Sequence, residues 1–358
     1  MATTAKEVQV SIDAGVTWFL LPGGTGEWND EGEQITDTIF GQTFQSTQPG
    51  LITWTSNANA LYKGFAGYVA SLKQSGTALV MTAESMTVVS GKTYQIDDAA
   101  RQIIDWTQTV VVDDTASPVA AADIESIDHM FGTVTFVSTF TPSGAITMDA
   151  FYLPMTEIGK ASSFTLTQTA ETIDETDFET ANTNSGYRVF NPGLRTVALE
   201  LGGFYDATSA FWTILEGRND IVIQINPDGS DLSVARGVFK LVTRTQSGDV
   251  GALEEESRTF NLSVPISDTA LGPALTTIFS WEHASTTTLS QGIQNVLTNW
   301  LSQTNIRVRY LPDGLPAIGF DGTAVITDVS LSSGLDAMNE FTANFQGTGL
   351  PTRIVESA

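Results

Sequence analysis

Apolar and polar residues alternate along most of the chain. Phe164-Thr165-Leu166-Thr167, Ile221-Val222-Ile223-Gln224-Ile225, Ile306-Arg307-Val308-Arg309-Tyr310 and Phe341-Thr342-Ala343-Asn344-Phe345 all repeat with a period of two. Threonine, valine, isoleucine and aromatics fill these runs, and Gly, Pro, Asn and Asp punctuate them. That is the pattern of half-buried antiparallel strands joined by turns. It predicts a mainly β protein. Helical spacing is confined to four segments. Residues 97–106 open on acids and carry Ala100, Ile103 and Ile104. Residues 208–215 follow a capping Asp206 or Thr208 and stop near Gly217. Residues 290–302 place Ile293, Val296, Leu297, Trp300 and Leu301 on one face, the clearest amphipathic helix. The fourth candidate spans 62–73, with Phe65, Val69 and Leu72 on one side.

An order of elements recurs. Pro192-Gly193-Leu194 leads to the helix around Trp212, then Asp220-Ile221-Val222-Ile223, then Pro227-Asp228-Gly229. Pro273-Ala274-Leu275 leads to the helix ending near Trp300, then Asn305-Ile306-Arg307-Val308, then Pro312-Asp313-Gly314. Each unit closes with two strands, 236–245 with 257–265 and 322–331 with 340–347. Pro49-Gly50-Leu51-Ile52-Thr53-Trp54 echoes residues 192–197, and Ile35-Thr36-Asp37-Thr38-Ile39-Phe40 echoes residues 173–178. A boundary is expected near 154–161. The predicted modules are therefore 1–158 and 159–358, with an internal repeat of 190–266 and 271–349. Whether residues 80–130 belong to the same sheets or to a separate outer domain stays open.

Charge narrows the functions. The chain has 41 acidic and 16 basic side chains, a net charge of −25. Neutralising phosphates needs a basic face, so nucleic-acid binding by charge is excluded. Anionic lipid would repel the chain as well. There is no cysteine, which removes disulfides, zinc ribbons and thiol nucleophiles. No apolar run approaches the ~20 residues that span a bilayer. Met1-Ala2-Thr3-Thr4-Ala5-Lys6-Glu7 lacks the apolar segment of a signal peptide, so synthesis in a cytoplasm is expected.

Catalytic motifs are missing. His129 and His283 are the two histidines, and neither stands in a metal motif. There is no Gly-x-Ser-x-Gly elbow and no phosphate loop; Gly64-Phe65-Ala66-Gly67 is too short. Acids are plentiful, but a glycosidase needs two carboxyls at a fixed gap, and spacing in sequence supplies none. Asn226-Pro227-Asp228-Gly229-Ser230-Asp231 lacks the bidentate glutamate of a calcium loop and reads as a β-turn. Glu254-Glu255-Glu256 reads as a solvated loop tip, with contact to a stacked neighbour as the alternative. No catalytic, cofactor-binding or metal-ligating residue is assigned.

The run from Glu171-Thr172-Ile173-Asp174-Glu175-Thr176 to Pro192-Gly193-Leu194-Arg195-Thr196 and on to Gly202-Gly203-Phe204-Tyr205-Asp206 resembles the tail tube proteins (major tail proteins) of long-tailed, non-contractile bacteriophages, the siphophages. Gly322-Thr323-Ala324-Val325-Ile326-Thr327 and the segment from Asn339 to Gly349 resemble that family's closing strands. Lys92-Thr93-Tyr94-Gln95-Ile96 and Gly132-Thr133-Val134-Thr135-Phe136 resemble phage tail proteins in the N-terminal half. The likeness spans about residues 35 to 350, and the chain is roughly twice a minimal tube subunit. The resemblance implies tandem β-sandwich modules, each with a packed α-helix, whose inner sheets join into a continuous β-barrel in a ring. Rings would stack into a tube for DNA. It implies no catalytic residue, a place in the virion tail after assembly in the host cytoplasm, and no membrane. The implied partners are further copies of the chain, the tape measure protein and the tail terminator and distal tail proteins. Two modules per chain point to a homotrimeric ring, with a hexamer as the alternative. A β-rich decoration protein or adhesin, and a carbohydrate-active enzyme, are the competing classes.

Overall fold

The alternating runs do form strands, and the chain is mainly β. This computed structural model describes residues 6–23, 25–37, 46–61, 71–158, 161–204, 211–227, 233–248, 254–263, 279–284, 289–314, 318–334 and 337–355. In chain order the first strands are β1 (Glu7–Ser11), β2 (Phe19–Leu20), β3 (Thr25–Asp37), β4 (Ser46–Leu61), β5 (Ser71–Ser75), β6 (Leu79–Ser90), β7 (Thr93–Ile96) and β8 (Val111–Asp114). Then come β9 (Ser117–Pro118), β10 (Ile124–Asp128), β11 (Thr133–Phe136), β12 (Ile146–Tyr152), β13 (Met155–Glu157), β14 (Ala161–Asp174), α1 (Phe178–Thr183), β15 (Phe190–Phe204) and α2 (Phe211–Gly217). The last are β16 (Asp220–Asn226), β17 (Ser233–Ser247), β18 (Glu255–Leu262), β19 (Phe279–His283), α3 (Gln291–Ser302), β20 (Ile306–Leu311), β21 (Ile318–Gly334), β22 (Ala337–Gly347) and β23 (Thr352–Val355).

Two compact units interleave along the chain. The first comprises Met1–Tyr68, Phe164–Leu199 and Thr287–Ala358; the second comprises Val69–Ser163 and Glu200–Thr286. The sequence pattern predicts contiguous modules instead, split at residue 158. The difference has a physical source. Residues 7–61 pair with the strands after residue 306, so the segment between them is inserted.

The two units share one topology. The first orders five of its strands β2-β1-β20-β21-β22, and the second β13-β5-β16-β17-β18. Their registers coincide at one constant sequence offset. Ile221 faces Phe239 as Ile306 faces Ala324, and Leu262 faces Phe239 as Gly347 faces Ala324. Even the β-bulge recurs, between Leu241 and Thr243 in β17 and between Ile326 and Asp328 in β21. The N-terminal partners match too. Val8 faces Tyr310 as Leu72 faces Ile225, and the Leu21 and Ile158 N–H groups donate to the Val8 and Leu72 carbonyls at 2.9 and 2.8 Å. Helix, strand and two further strands follow in the same order in both units, as α2-β16-β17-β18 and α3-β20-β21-β22.

In the first unit α3 covers β1, β2 and β21. Ser290 caps it by accepting from the Ile293 N–H, and Ile293, Val296, Leu297 and Trp300 are buried. Arg195 lies over the Trp300 ring at 5.4 Å and donates to the carbonyls of Trp300 and Leu301, satisfying the helix end. Trp54 is buried against β21 and β22. It stacks on Trp28 at 4.1 Å and donates to the Gly349 carbonyl at 3.0 Å. Gly322 and Gly347 make room for it, since a Cβ at either position would lie within 2.4 Å of the indole. In the second unit α2 packs on β17; the side chain of Trp212 and the expected cap at Asp206 or Thr208 lie outside the described residues.

Two helix expectations change. Residues 97–106 form only a 3-10 turn at Ala99–Arg101. Ile103 and Ile104 then run extended, because the Leu153 N–H donates to the Ile103 carbonyl and the Ile104 N–H to the His129 carbonyl, both at 2.8 Å. Their side chains enter two different buried clusters, which a helix could not arrange for neighbours. Of the candidate at 62–73, residues 62–70 lie outside the described residues, and Ser71, Leu72 and Lys73 are strand, paired with β16. Pro312-Asp313-Gly314 makes the expected turn, with Gly314 at φ +64°. Its counterpart at 227–229 is described only at Pro227.

Glu256 departs from the solvated loop tip expected of it. It lies on β18, where alternation turns it inward between Arg244 and Arg258, at 2.6 and 2.7 Å. Burial opposes its charge, but hydrogen bonds from Arg258 and Arg244 outweigh burial and hold the carboxyl below the usual range. At the matching register of the first unit stand Val329, Phe341 and Ala343, all fully buried. One scaffold position thus accepts an ionic triad or an apolar one. E256A leaves two guanidinium groups buried together and is expected to cost about 3–5 kcal/mol. The triple variant R244V/E256F/R258A, which copies the other unit, is expected to lose less. Denaturation midpoints of both check this; a triple variant weaker than E256A would overturn it.

Candidate functional site

The second unit differs from the first by what its β5–β13 connection holds. In the first unit residues 12–18 join β1 to β2. In the second, residues 76–154 form a seven-stranded sheet in the order β10-β11-β7-β6-β12-β8-β9. This sheet has its own core of Met81, Ile96, Val134, Phe136, Ile146 and Met148, among others. Residues 80–130 are thus a separate sheet.

Part of the insertion packs on the β16–β17 face. Ile103, Trp106, Met130, Phe131 and Leu153 cluster with Val222, Val234 and Val238. Strand β16 is consequently buried on both faces, with Val222 and Gln224 covered as fully as Ile221 and Ile223. In β20 the matching positions are the partly exposed Arg307 and Arg309. Their charge is balanced by Asp321, which Arg307 Nη2 meets at 2.8 Å and Arg309 Nη2 at 3.4 Å.

A cavity of about 590 Å³ lies at this seam, lined by Lys73, Gln102, Tyr152, Gln224, Arg236 and Glu282 among others. Arg236 dominates it. Its guanidinium donates to Gln224 Oε1 at 2.8 Å and to the Met130 carbonyl at 2.9 Å, and lies over the Phe131 ring at 4.7 Å. Glu282 accepts from Gln95 Nε2 at 3.2 Å. Asp128 accepts from the Met130 N–H at 2.8 Å and the Phe131 N–H at 3.3 Å. Desolvation pushes its carboxyl up to about 6, against those N–H groups and Arg236. These groups bind one another and fasten the insertion to the sheet.

The two histidines have separate settings. His283 Nδ1 is 2.6 Å from Ser233 Oγ, and its ring stacks on Trp281 at 5.6 Å. His129 is buried, and its Nδ1 has no partner. Among the described residues no group of three or more His, Asp or Glu is arranged to hold a metal ion, and no helix is long and apolar enough to cross a membrane.

A polar face is built across three strands of the first unit. Register aligns Thr342 with Asn59 and Thr25, then Asn344 with Asn57 and Glu27, then Gln346 with Thr55 and Asn29. Asn57 Nδ2 donates to Glu27 Oε2 at 3.3 Å, and Asn59 Nδ2 to Thr25 Oγ1 at 3.1 Å. The alternate residues Trp54, Ala58, Phe341 and Phe345 are buried. Amides and hydroxyls dominate this face, with Glu27, Glu31 and Glu340 as its acids. Sequence reading could not select these residues, because each lies in a polar half-strand like many others until the register is known.

No protein-family model matches the chain, and no curated protein does. Two solved structures show a partial likeness. One is the tail of an empty gene transfer agent particle, with 17% identity and a TM-score of 0.28, covering 33% of this chain and 87% of that one. The other is the virion of a native gene transfer agent particle, with 17% identity and a TM-score of 0.28, covering 32% of this chain and 89% of that one. A likeness of that size carries no functional argument.

Desolvation of His129 lowers its pKa from 6.5 to about 4. The folded state therefore favours the neutral ring. The resulting stability is complete above pH 6.5 and is lost as pH falls towards 4, by up to about 3 kcal/mol. Asp128 works the other way over part of that window, so the comparison must be with a variant. H129F is expected to gain on the parent chain between pH 6.5 and 4 in denaturation midpoint; parallel pH profiles would refute this.

Proposed function

We propose that the chain is a structural subunit of a bacteriophage tail tube of the siphophage type, with rings that stack into a conduit for DNA. The observation that carries this reading is the doubled module: two copies of one five-strand order, with the same registers and the same bulge, in a single chain. A binding module or an enzyme has no need of two such copies. The rows of backbone groups that each copy leaves at its outer strands need a neighbour, and further copies of the chain supply one. Six modules around a ring, two from each chain, make a homotrimer; a ring of six chains is the alternative, with one module of each turned outward. The tape measure protein lies within such a tube, and terminator and distal tail proteins close its ends. The seven-stranded insertion serves as an outward decoration in this reading.

The polar face with Glu27, Glu31 and Glu340 is assigned to the lumen. Amides and hydroxyls there are hydrated, and the acids repel phosphate, so DNA slides without binding. The reading places the protein in the virion tail, assembled in the host cytoplasm.

Negative-stain microscopy of purified protein is expected to show rings or short tubes, with three-fold symmetry in ring averages. Separate particles would refute the tube reading; six-fold symmetry with identical inner modules would refute the trimer. In assembled tails, E27K/E31K/E340K is expected to retain DNA at low ionic strength and release it as the Debye length shortens to about 8 Å at physiological salt. Unchanged ejection at low salt would remove the electrostatic role.

A further inference from the structure

From the internal repeat we infer that copies of this chain join head to tail through one particular strand pair: β3 of one chain lies beside the outer half of β17 in the next. The inference rests on the tube reading and deepens it, by naming the edges that meet.

The argument starts from a junction the chain already contains. In the first unit β14 lies beside β21. By the repeat, β14 is the counterpart of β3, since Glu171 lies against Gly193 as Glu33 lies against Gly50, and β21 is the counterpart of β17. The chain therefore shows one β14–β21 junction and holds both halves of a second, β3 and β17, that are not joined to each other. Among the described residues β3 pairs with β4 alone.

The long strands explain where the free edge lies. In β17 the residues before the bulge have β16 on one side and β19 on the other. Beyond the bulge, residues 243–247 pair with β18, and β16 has ended. The same holds in β21, where β20 and β23 flank the first part and β22 follows the second. A strand has two edges, so the second part of each long strand has one to offer.

Exposure separates the filled junction from the unfilled one. In β21 none of residues 324–334 is exposed, and in β14 none of residues 164–170 is. In β17 Val242, Thr243, Thr245, Gln246 and Ser247 are exposed, with Val242 at 49%. In β3 residues 29–32 are exposed, where the matching residues 167–170 of β14 are not. The same positions are covered where the neighbour is present and bare where it is absent. A second copy of this chain is the occupant that supplies both strands. Because the two edges differ, the contact is heterologous and propagates until it closes.

The chain has no cysteine, so engineered pairs report without background. Thr243 and Thr245 lie on the strand face opposite the inward Arg244, and Glu27, Asn29 and Glu31 on the polar face of β3. T243C or T245C is combined in turn with E27C, N29C or E31C, which scans the register. A disulfide needs Cβ atoms about 3.5–4.5 Å apart, so only matching pairs close. At least one combination is expected to give an oxidant-dependent ladder of covalent multimers beyond the dimer, reversed by reductant, while single-cysteine chains stop at dimers. All positions are exposed, and unchanged denaturation midpoints would show that the fold is kept. As a second measurement, amide exchange in residues 25–36 and 242–247 of the unsubstituted protein is expected to slow at least tenfold on assembly. Rings without any ladder and without that protection overturn this edge pairing and leave the tube reading standing. Separate particles with neither signal overturn both.

Discussion

A strand has two edges and no more, and each unit is organised around one long strand whose two parts have different neighbours. In the first unit that strand is β21. Its opening residues are held between β20 and β23, and its later residues pair with β22. The bulge at residue 327 separates the two parts and bends the strand between them. The packing follows from this. Gly322 and the facing Gly347 region seat Trp54, and α3 lies over β1, β2 and β21. The second unit keeps the same arrangement around β17, down to the bulge at residue 242.

Keeping the register did not require keeping the side chains. Where one copy buries Arg244, Glu256 and Arg258, the other buries Val329, Phe341 and Ala343. Where one carries Gln224 and Arg236, the other carries Arg309 and Asp321. Backbone pairing and the alternation of buried and open faces define the module. Individual contacts are solutions to local burial, and a buried ion pair is one that hydrophobic residues can replace.

The insertion shows how context changes the use of one face. Residues 76–154 build a sheet with its own core and then cover β16 and β17. A face that is half open in the first unit becomes interior in the second. Arg236, at a sheet position whose counterpart is a carboxylate, becomes the post to which Gln102, Gln224 and the Met130 carbonyl are tied. In the cavity beside it Arg236 donates to Gln224 and Gln102.

The sequence by itself determined the local facts. Alternation at Ile306–Tyr310 and Phe341–Phe345 specified strands, because one face of each is buried and the other wet. Spacing at Ile293, Val296, Leu297 and Trp300 specified α3, and Pro312-Asp313-Gly314 its turn. The repeat was legible because equal topology demands equal order of elements. What sequence could not supply was which distant segments pair. The backbone ladder that joins β1 to β20 and β4 to β22 uses N–H and C=O groups that every residue carries, so it leaves no mark in composition. The interleaved units, the extended path through Ile103 and Ile104 and the inward turn of Glu256 were therefore decided by tertiary structure. So was the polar face of Thr25, Glu27, Asn57 and Asn344, since only the register brings residues so far apart in sequence into one row.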